Sequence, residues 1–435
     1  MDVTAVPNWT IQTNSCVSVN NLLGVCSVFS IPHTHKSWLS LSIMQRPRKS
    51  KRIPIPAIVV IAGVAIFTAA CGASPGSGSN GSAARATTSW SAGSGSSAGA
   101  SPADAAGLGF YDGKSSPDGI ETAANWLGSA SSVKYAQDFI DASDWSHISN
   151  PWQLPNWKGT PYQMVWGVPM LPCGSPSTQC STNVSDYDKV ANGDANGYFK
   201  TLAQNLVSAG YGSSYVRIGW EFNASWMGWS VCNQQGSGLT SWASDFVPAF
   251  RNIVTSMRSV SGANFKFIWN PLETSNASCP DGNLEKFYPG DKYVDAVALD
   301  TYDGVGQAIS SDAQRWGDLM NGVNGGNWTS VVPAAINGQK FKGYGLSWLA
   351  AFGKEHNKLV SIPEWGLDTP SQEAGGGDDA YFITQMGKWI KANATGPVIF
   401  WNFAEGNMPL DIPNYTSGST PNATAAFKDE FGTDN

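Results

Sequence analysis

Apolar residues recur along residues 105–435 with two spacings, and the two spacings take turns. Eight short runs read as strands: Leu108–Asp112, Tyr135–Ile140, Tyr162–Leu171, Tyr215–Phe222, Phe265–Asn270, Val294–Tyr302, Leu359–Glu364 and Val398–Phe403. Between them lie helical patterns. Phe199, Leu202 and Leu206 keep to one face at helical spacing, as do Phe246, Phe250, Ile253 and Met257, and Phe382, Met386 and Trp389. Strands alternating with helices imply a parallel sheet. Eight such units predict a closed (β/α)8 barrel of the TIM type as a single domain over residues 105–435. An open doubly wound sheet is the alternative; it calls for a Gly-rich phosphate turn after the first strand, and the chain has none.

In such a barrel the working groups stand at the C-terminal ends of the strands. Those ends read Tyr111-Asp112, Asp141, Trp166, Glu221, Trp269-Asn270, Asp300-Thr301-Tyr302-Asp303, Glu364-Trp365 and Trp401-Asn402, a ring of carboxylates, amides and aromatics. The stretch Tyr215–Trp229 is the richest. Strict alternation puts Arg217, Gly219, Glu221 and Asn223 on one face, and Val216, Ile218, Trp220 and Phe222 on the other, outward and under helices. Trp226 and Trp229 follow at once. A carboxylate at a strand end, flanked by flat aromatics, suits a sugar: polar groups bond hydroxyls and indoles stack on pyranose rings.

Composition narrows the chemistry. The formal net charge is −7; setting aside the six Lys or Arg and single acid of the first seventy residues leaves −12, which argues against nucleic acid as a partner. Nineteen tryptophans at low charge fit an uncharged, stackable ligand such as a glycan. Of four histidines, His33 and His35 precede the domain, leaving His147 and His356, so a metal site or a Ser-His-Asp triad is poorly supplied. Carboxylates remain as the reactive groups, with no cofactor and no metal expected.

Residues 1–70 read as a leader. A basic cluster at 46–52 precedes an apolar run from Ala57 to Ala70, closed by Thr68-Ala69-Ala70-Cys71. Met44 stands just ahead of the cluster as a candidate start, with 1–43 expected to lie outside the translated protein. Small residues followed by Cys71 resemble the bacterial lipobox; that resemblance implies lipidation of Cys71 and a domain anchored outside the cytoplasm. Residues 71–104 are Gly, Ser and Ala with little apolar bulk, a flexible linker. Beyond Cys71 four cysteines remain, and an even number outside the cytoplasm suggests disulfides. Three connectivities are open; Cys173–Cys180 with Cys232–Cys279 is preferred because the first two are close neighbours in one loop. A monomer is expected.

The stretch Lys358-Leu-Val-Ser-Ile-Pro-Glu-Trp-Gly366 supplies a second strand-end carboxylate. With Glu221 ending the fourth strand and Glu364 the seventh, the chain resembles the clan A glycosidases. Within them, Arg217-X-X-X-Glu221 with trailing Trp226-X-X-Trp229, and the Glu364-Trp365-Gly366 close, resemble glycoside hydrolase family 26. The resemblance implies a retaining hydrolase of a β-linked polysaccharide, with Glu221 as acid/base and Glu364 as nucleophile. It further implies that Tyr302, in Asp300-Thr-Tyr302, steadies Glu364. On this reading Arg217 keeps Glu364 ionised, Trp401 floors the subsite of the reacting sugar, and Trp226, Trp229 and Trp365 build neighbouring subsites. Asn223, Trp269 and Asp300 complete the expected substrate contacts. One position departs: the family usually has His before the acid/base, other clan members Asn, and this chain Trp220. An indole reproduces neither hydrogen-bonding pattern, which bears on β-1,4-mannan, the family's common substrate, and leaves β-1,3-xylan and mixed-linkage β-glucan as alternatives. Two other functions fit the same residues: a transglycosylase remodelling envelope glycan, and a tethered binder that does not cut.

Overall fold

Eight parallel strands close on themselves. They are β1 (Gly107–Tyr111), β2 (Tyr135–Phe139), β3 (Gln163–Val168), β4 (Tyr215–Ile218), β5 (Lys266–Trp269), β6 (Ala296–Tyr302), β7 (Leu359–Asp368) and β8 (Pro397–Trp401). Each pairs with the next, and β8 returns to β1 with Tyr111 opposite Trp401. This is the (β/α)8 barrel the alternation predicts, with every expected run present and only the ends adjusted. The computed structural model describes residues 107–128, 130–173, 184–232, 239–273, 283–304, 311–323, 332–371, 374–405, 407–413 and 419–432. The leader, the linker and Cys71 lie outside the described residues, as do Cys180 and Cys279. Cys173 and Cys232 are each disulfide-bonded. No helix among the described residues is long and apolar enough to cross a membrane.

The helices wrap the sheet with the faces their spacing marks. Phe199, Leu202 and Leu206 of α1 (Asn196–Ser208), Phe246, Phe250, Ile253 and Met257 of α2 (Phe246–Arg258), and Phe382, Met386 and Trp389 of α3 (Ala380–Asn393) are all buried. After β8 a short strand, Asn407–Met408, pairs antiparallel with the end of β7, and helix Pro421–Phe431 packs on α3.

One irregularity decides which residues face inward. Ser361 pairs with Ala298, but Glu364 pairs with Asp300, so β7 holds one residue more than β6 across this step. The same excess appears toward β8, where Ile362 pairs with Val398 and Trp365 with Phe400. The extra residue falls at Ile362–Pro363, where proline lacks the N–H that a ladder needs and a bulge absorbs it. Ser361 shares the inner face with Ala298. Unbroken alternation would therefore turn Glu364 outward; the bulge turns it in.

Candidate active site

Arg217 on β4 is fully buried and organises the mouth of the barrel. Its Nη1 and Nη2 both donate to Oε2 of Glu364 at 3.1 Å. Nη2 also donates to Oδ2 of Asp300 at 2.5 Å, and Nε to Oδ1 of Asn270 at 2.7 Å. Its guanidinium carbon lies 5.6 Å from the centre of the Phe139 ring and 5.8 Å from that of Trp220. Phe139 has room there because Gly167 on β3 faces it: a Cβ at Gly167 would come within 2.2 Å of the ring. Tyr302 donates its phenol to the other Glu364 oxygen, Oε1, at 2.9 Å. Glu364 is thus held through both oxygens.

Glu221 reaches the same place by another route. Strand β4 ends at Ile218, and Gly219 and Glu221 adopt left-handed backbone, φ +51° and +50°. At Gly219 any side chain would meet Met170, with Cβ 2.3 Å from its sulfur. For Glu221 the conformation costs on the order of 1 kcal/mol, the kind of strain that clusters at functional sites. It is held by Glu221 N–H donating to the Asn270 carbonyl at 2.8 Å. As a result one carboxylate oxygen each from Glu221, Asp300 and Glu364 lie within 4.8 Å of one another. Three acids at this spacing have the dimensions of a cation site, and the Arg217 guanidinium supplies the cation to two of them.

The electrostatics separate the acids. Burial, then the negative Glu364 and Asp300, push Glu221 well above the ordinary carboxylate range; Arg217 and a hydrogen bond from Trp226 only partly oppose them. Burial also raises Glu364, but the Arg217 charge and hydrogen bonds from Tyr302 and Arg217 act against the rise. Burial and the neighbouring negative charges keep the Tyr302 phenol protonated, which fixes it as a donor.

Several expected contacts lie elsewhere. Trp365 is fully buried on the outer face, stacked 5.8 Å from Phe427 and edge-on to Phe400. Trp269 faces the helices among Phe222, Tyr288, Trp348 and Phe352. Trp229 is fully buried, its indole N–H bonded to the Trp220 carbonyl. Asn223 is fully buried, exchanging two hydrogen bonds with the backbone of Leu272. These four are structural, because none has a surface to offer a ligand. Asp300, also fully buried, pairs with Arg217 and presents no surface to a ligand. Trp220 does not face outward as alternation had it: past Gly219 the strand has ended, and its ring packs on Phe139 and Trp229 inside the mouth. Trp226 is partly exposed beside Glu221, and Trp401 lies over Tyr111, centroids 4.2 Å apart, with a sliver of surface. Phe139 is the site residue missed, while Tyr111 and Asn270, which stand in the expected strand-end ring, carried no assigned contact there. Asn270 was signalled by parity, since it is the neighbour of an outward Trp269.

A parallel barrel with two acids of contrasting environment at its mouth is the arrangement of a glycoside hydrolase. Residues 77–341, more than half the chain, match the profile of glycosyl hydrolase family 26, and the chain belongs to that family. The matched stretch takes in Glu221; Glu364 lies beyond it. The chain is 28% identical over 250 residues to Endoglucanase H of Acetivibrio thermocellus, covering 56% of this chain and 23% of that protein. It is 25% identical over 215 residues to a mannan endo-1,4-beta-mannosidase of Bifidobacterium adolescentis, covering 48% and 18%. The chain therefore spans a quarter or less of the length of these relatives. Among solved structures, a modular endo-beta-1,4-mannanase from Cellulomonas fimi aligns at 17% identity and TM-score 0.47, over 75% of this chain and 73% of that one.

Proposed function

We propose that the protein is a retaining endo-β-1,4-mannanase-like hydrolase in which Glu221 is the acid/base and Glu364 the nucleophile. The observation that carries this is the approach of their carboxylates to within 4.8 Å. Retaining enzymes hold their acids about 5–5.5 Å apart, whereas inverting ones need about 6.5–9.5 Å to admit a water. In the first step a Glu364 oxygen attacks the anomeric carbon while Glu221 gives its proton to the departing glycosidic oxygen. In the second, Glu221 takes a proton from water, and the resulting hydroxide displaces Glu364 from the sugar. The raised Glu221 suits the proton donor, and the donors on Glu364 suit a group that must begin ionised. Trp401 would floor the reacting sugar's subsite, and Trp226 would both border it and tune Glu221. The activity is proposed to be exercised outside the cytoplasm, from a lipid on Cys71.

Mannan is the first candidate because of the mannosidase relative. β-Glucan is the second. Trp220, packed at the mouth where an indole donates one hydrogen bond and accepts none, counts against mannan without choosing between xylan and β-glucan, and the endoglucanase relative supports β-glucan. The test is hydrolysis of mannan, xylans and β-glucans by the parent chain and by Glu364→Ala and Glu221→Ala. Glu364→Ala is expected to lose turnover. Glu221→Ala should fall roughly 10²–10⁴-fold and recover with azide, giving a β-glycosyl azide. Near-parental rates in both variants would refute the assignment.

A further inference from the structure

Trp152 is the most exposed large hydrophobic residue among those described, at 47% of its surface. Nothing in the proposed reaction uses it. It stands on the segment between helix Trp145–Ser149 and the short 3-10 turn Leu154–Trp157, and next to it Gln153 donates to the Phe139 carbonyl at 2.7 Å, tying the segment to the end of β2. The ring is not loose. Its indole N–H donates to Oδ2 of Asp141 at 3.1 Å, and Nζ of Lys114 lies over it, 5.4 Å from its centre. Lys114 in turn pairs with the same Asp141 oxygen at 3.6 Å, and Ser143 bonds the other oxygen through both its N–H and its hydroxyl. Burial would raise Asp141, but the donors from Ser143 and Trp152 and the charge of Lys114 outweigh it and hold the group at about 2, so it stays an ionised anchor at any working pH.

Three features make this a platform for a ligand. An immobilised indole has already lost the rotamer freedom that binding would otherwise take from it. Lys114 and Asp141 neutralise each other, so the flat surface offered is apolar and uncharged. And Lys114 follows β1 while Asp141 follows β2, which puts the platform at the mouth that holds Glu221 and Glu364. Tyr111 and Phe139, the last residues of those same strands, carry Trp401 at 4.2 and 6.1 Å. A buried aromatic cluster thus joins the ends of β1 and β2, whose following residues hold Trp152, to Trp401.

We propose that Trp152 stacks a pyranose ring of a neutral polysaccharide, away from the bond being cut, as an outlying subsite on the β1–β2 side of the cleft. The inference rests on the glycosidase reading for the direction of the chain. The test uses the full chain carrying Glu364→Gln, which keeps ligand uncleaved, with and without Trp152→Ala or Trp152→Phe. Mannotriose and mannohexaose, and cellotriose and cellohexaose, are titrated calorimetrically. For whichever hexaose the parent binds, Trp152→Ala should weaken affinity about 2- to 12-fold, the range of one aromatic stack. The loss should fall on the hexaose far more than on the triose, and Trp152→Phe should restore most of it. Equal loss on both lengths, no loss, or no binding of any hexaose by the parent overturns the platform. Hydrolysis by the unsubstituted chain is scored separately: a chain that cleaves polysaccharide while Trp152→Ala leaves hexaose affinity intact refutes the platform alone. Length-dependent loss in a chain that cleaves nothing refutes the glycosidase reading alone.

Discussion

Tyr302→Phe removes one oxygen and leaves the ring, which packs against Gly366. The oxygen matters because it donates to Oε1 of Glu364 at 2.9 Å, while Arg217 serves only Oε2. A hydrogen bond to a charged group contributes about 1.5–3 kcal/mol, and burial of this carboxylate favours the upper part of that range. If the bond holds Glu364 in attacking geometry, its loss corresponds to roughly 10- to 150-fold in kcat/KM. The pH profile gives a second, independent readout. The phenol is one of the influences that lower Glu364 against the upward push of burial. Without it the carboxyl holds its proton to higher pH, so the acid limb of kcat/KM should move toward neutrality while the alkaline limb, set by Glu221, stays nearly in place. The measurement is initial rate against pH on whichever polysaccharide the parent cleaves, with thermal melting to show that the fold is intact. A rate loss with an unmoved acid limb, or a limb that moves to lower pH, would refute the role given to Tyr302.

Two further outcomes follow from the same geometry. Glu221 is raised well above its ordinary range by burial first, so the folded protein binds a proton that the unfolded chain releases; its contribution to stability is full below the ordinary carboxylate range and is lost as pH rises through the folded value. Glu221→Gln should therefore melt higher than the parent at neutral and alkaline pH, with the advantage vanishing in acid; a constant difference across pH would contradict this. Trp365→Ala should cost about 3–5 kcal/mol in denaturant unfolding and leave KM close to parental where the protein still folds, because the ring serves Phe427 and Phe400 rather than the cleft.

The strand and helix faces were legible because burial on one side leaves a spacing that no other arrangement reproduces. Arg217 could be placed by alternation since it lies inside a regular strand. Glu221 reaches the face that alternation gave it, but not by alternation, because β4 stops at Ile218 and two left-handed residues carry the chain to the acid by a path without a period. The tryptophans misled for a related reason. A barrel with helices outside buries both faces of its strands, so a strand-end indole fills the outer shell as readily as it lines the mouth. Trp365 and Trp269 each adjoin an inward polar residue, and that adjacency alone sends them outward. For β7 the inward residue itself depended on a bulge, whose one trace in the sequence is Pro363.

Arg217 is contributed by the first half of the chain, and its partners Asn270, Asp300 and Glu364 all come from the second. A half-barrel ending after β4 would lack every group that accepts a hydrogen bond from this guanidinium, and stranding one member of such a pair costs about 3–5 kcal/mol. Incomplete closure is penalised by the same groups that hold Glu364 in place, so fragments that separate the halves should stay open until both are present.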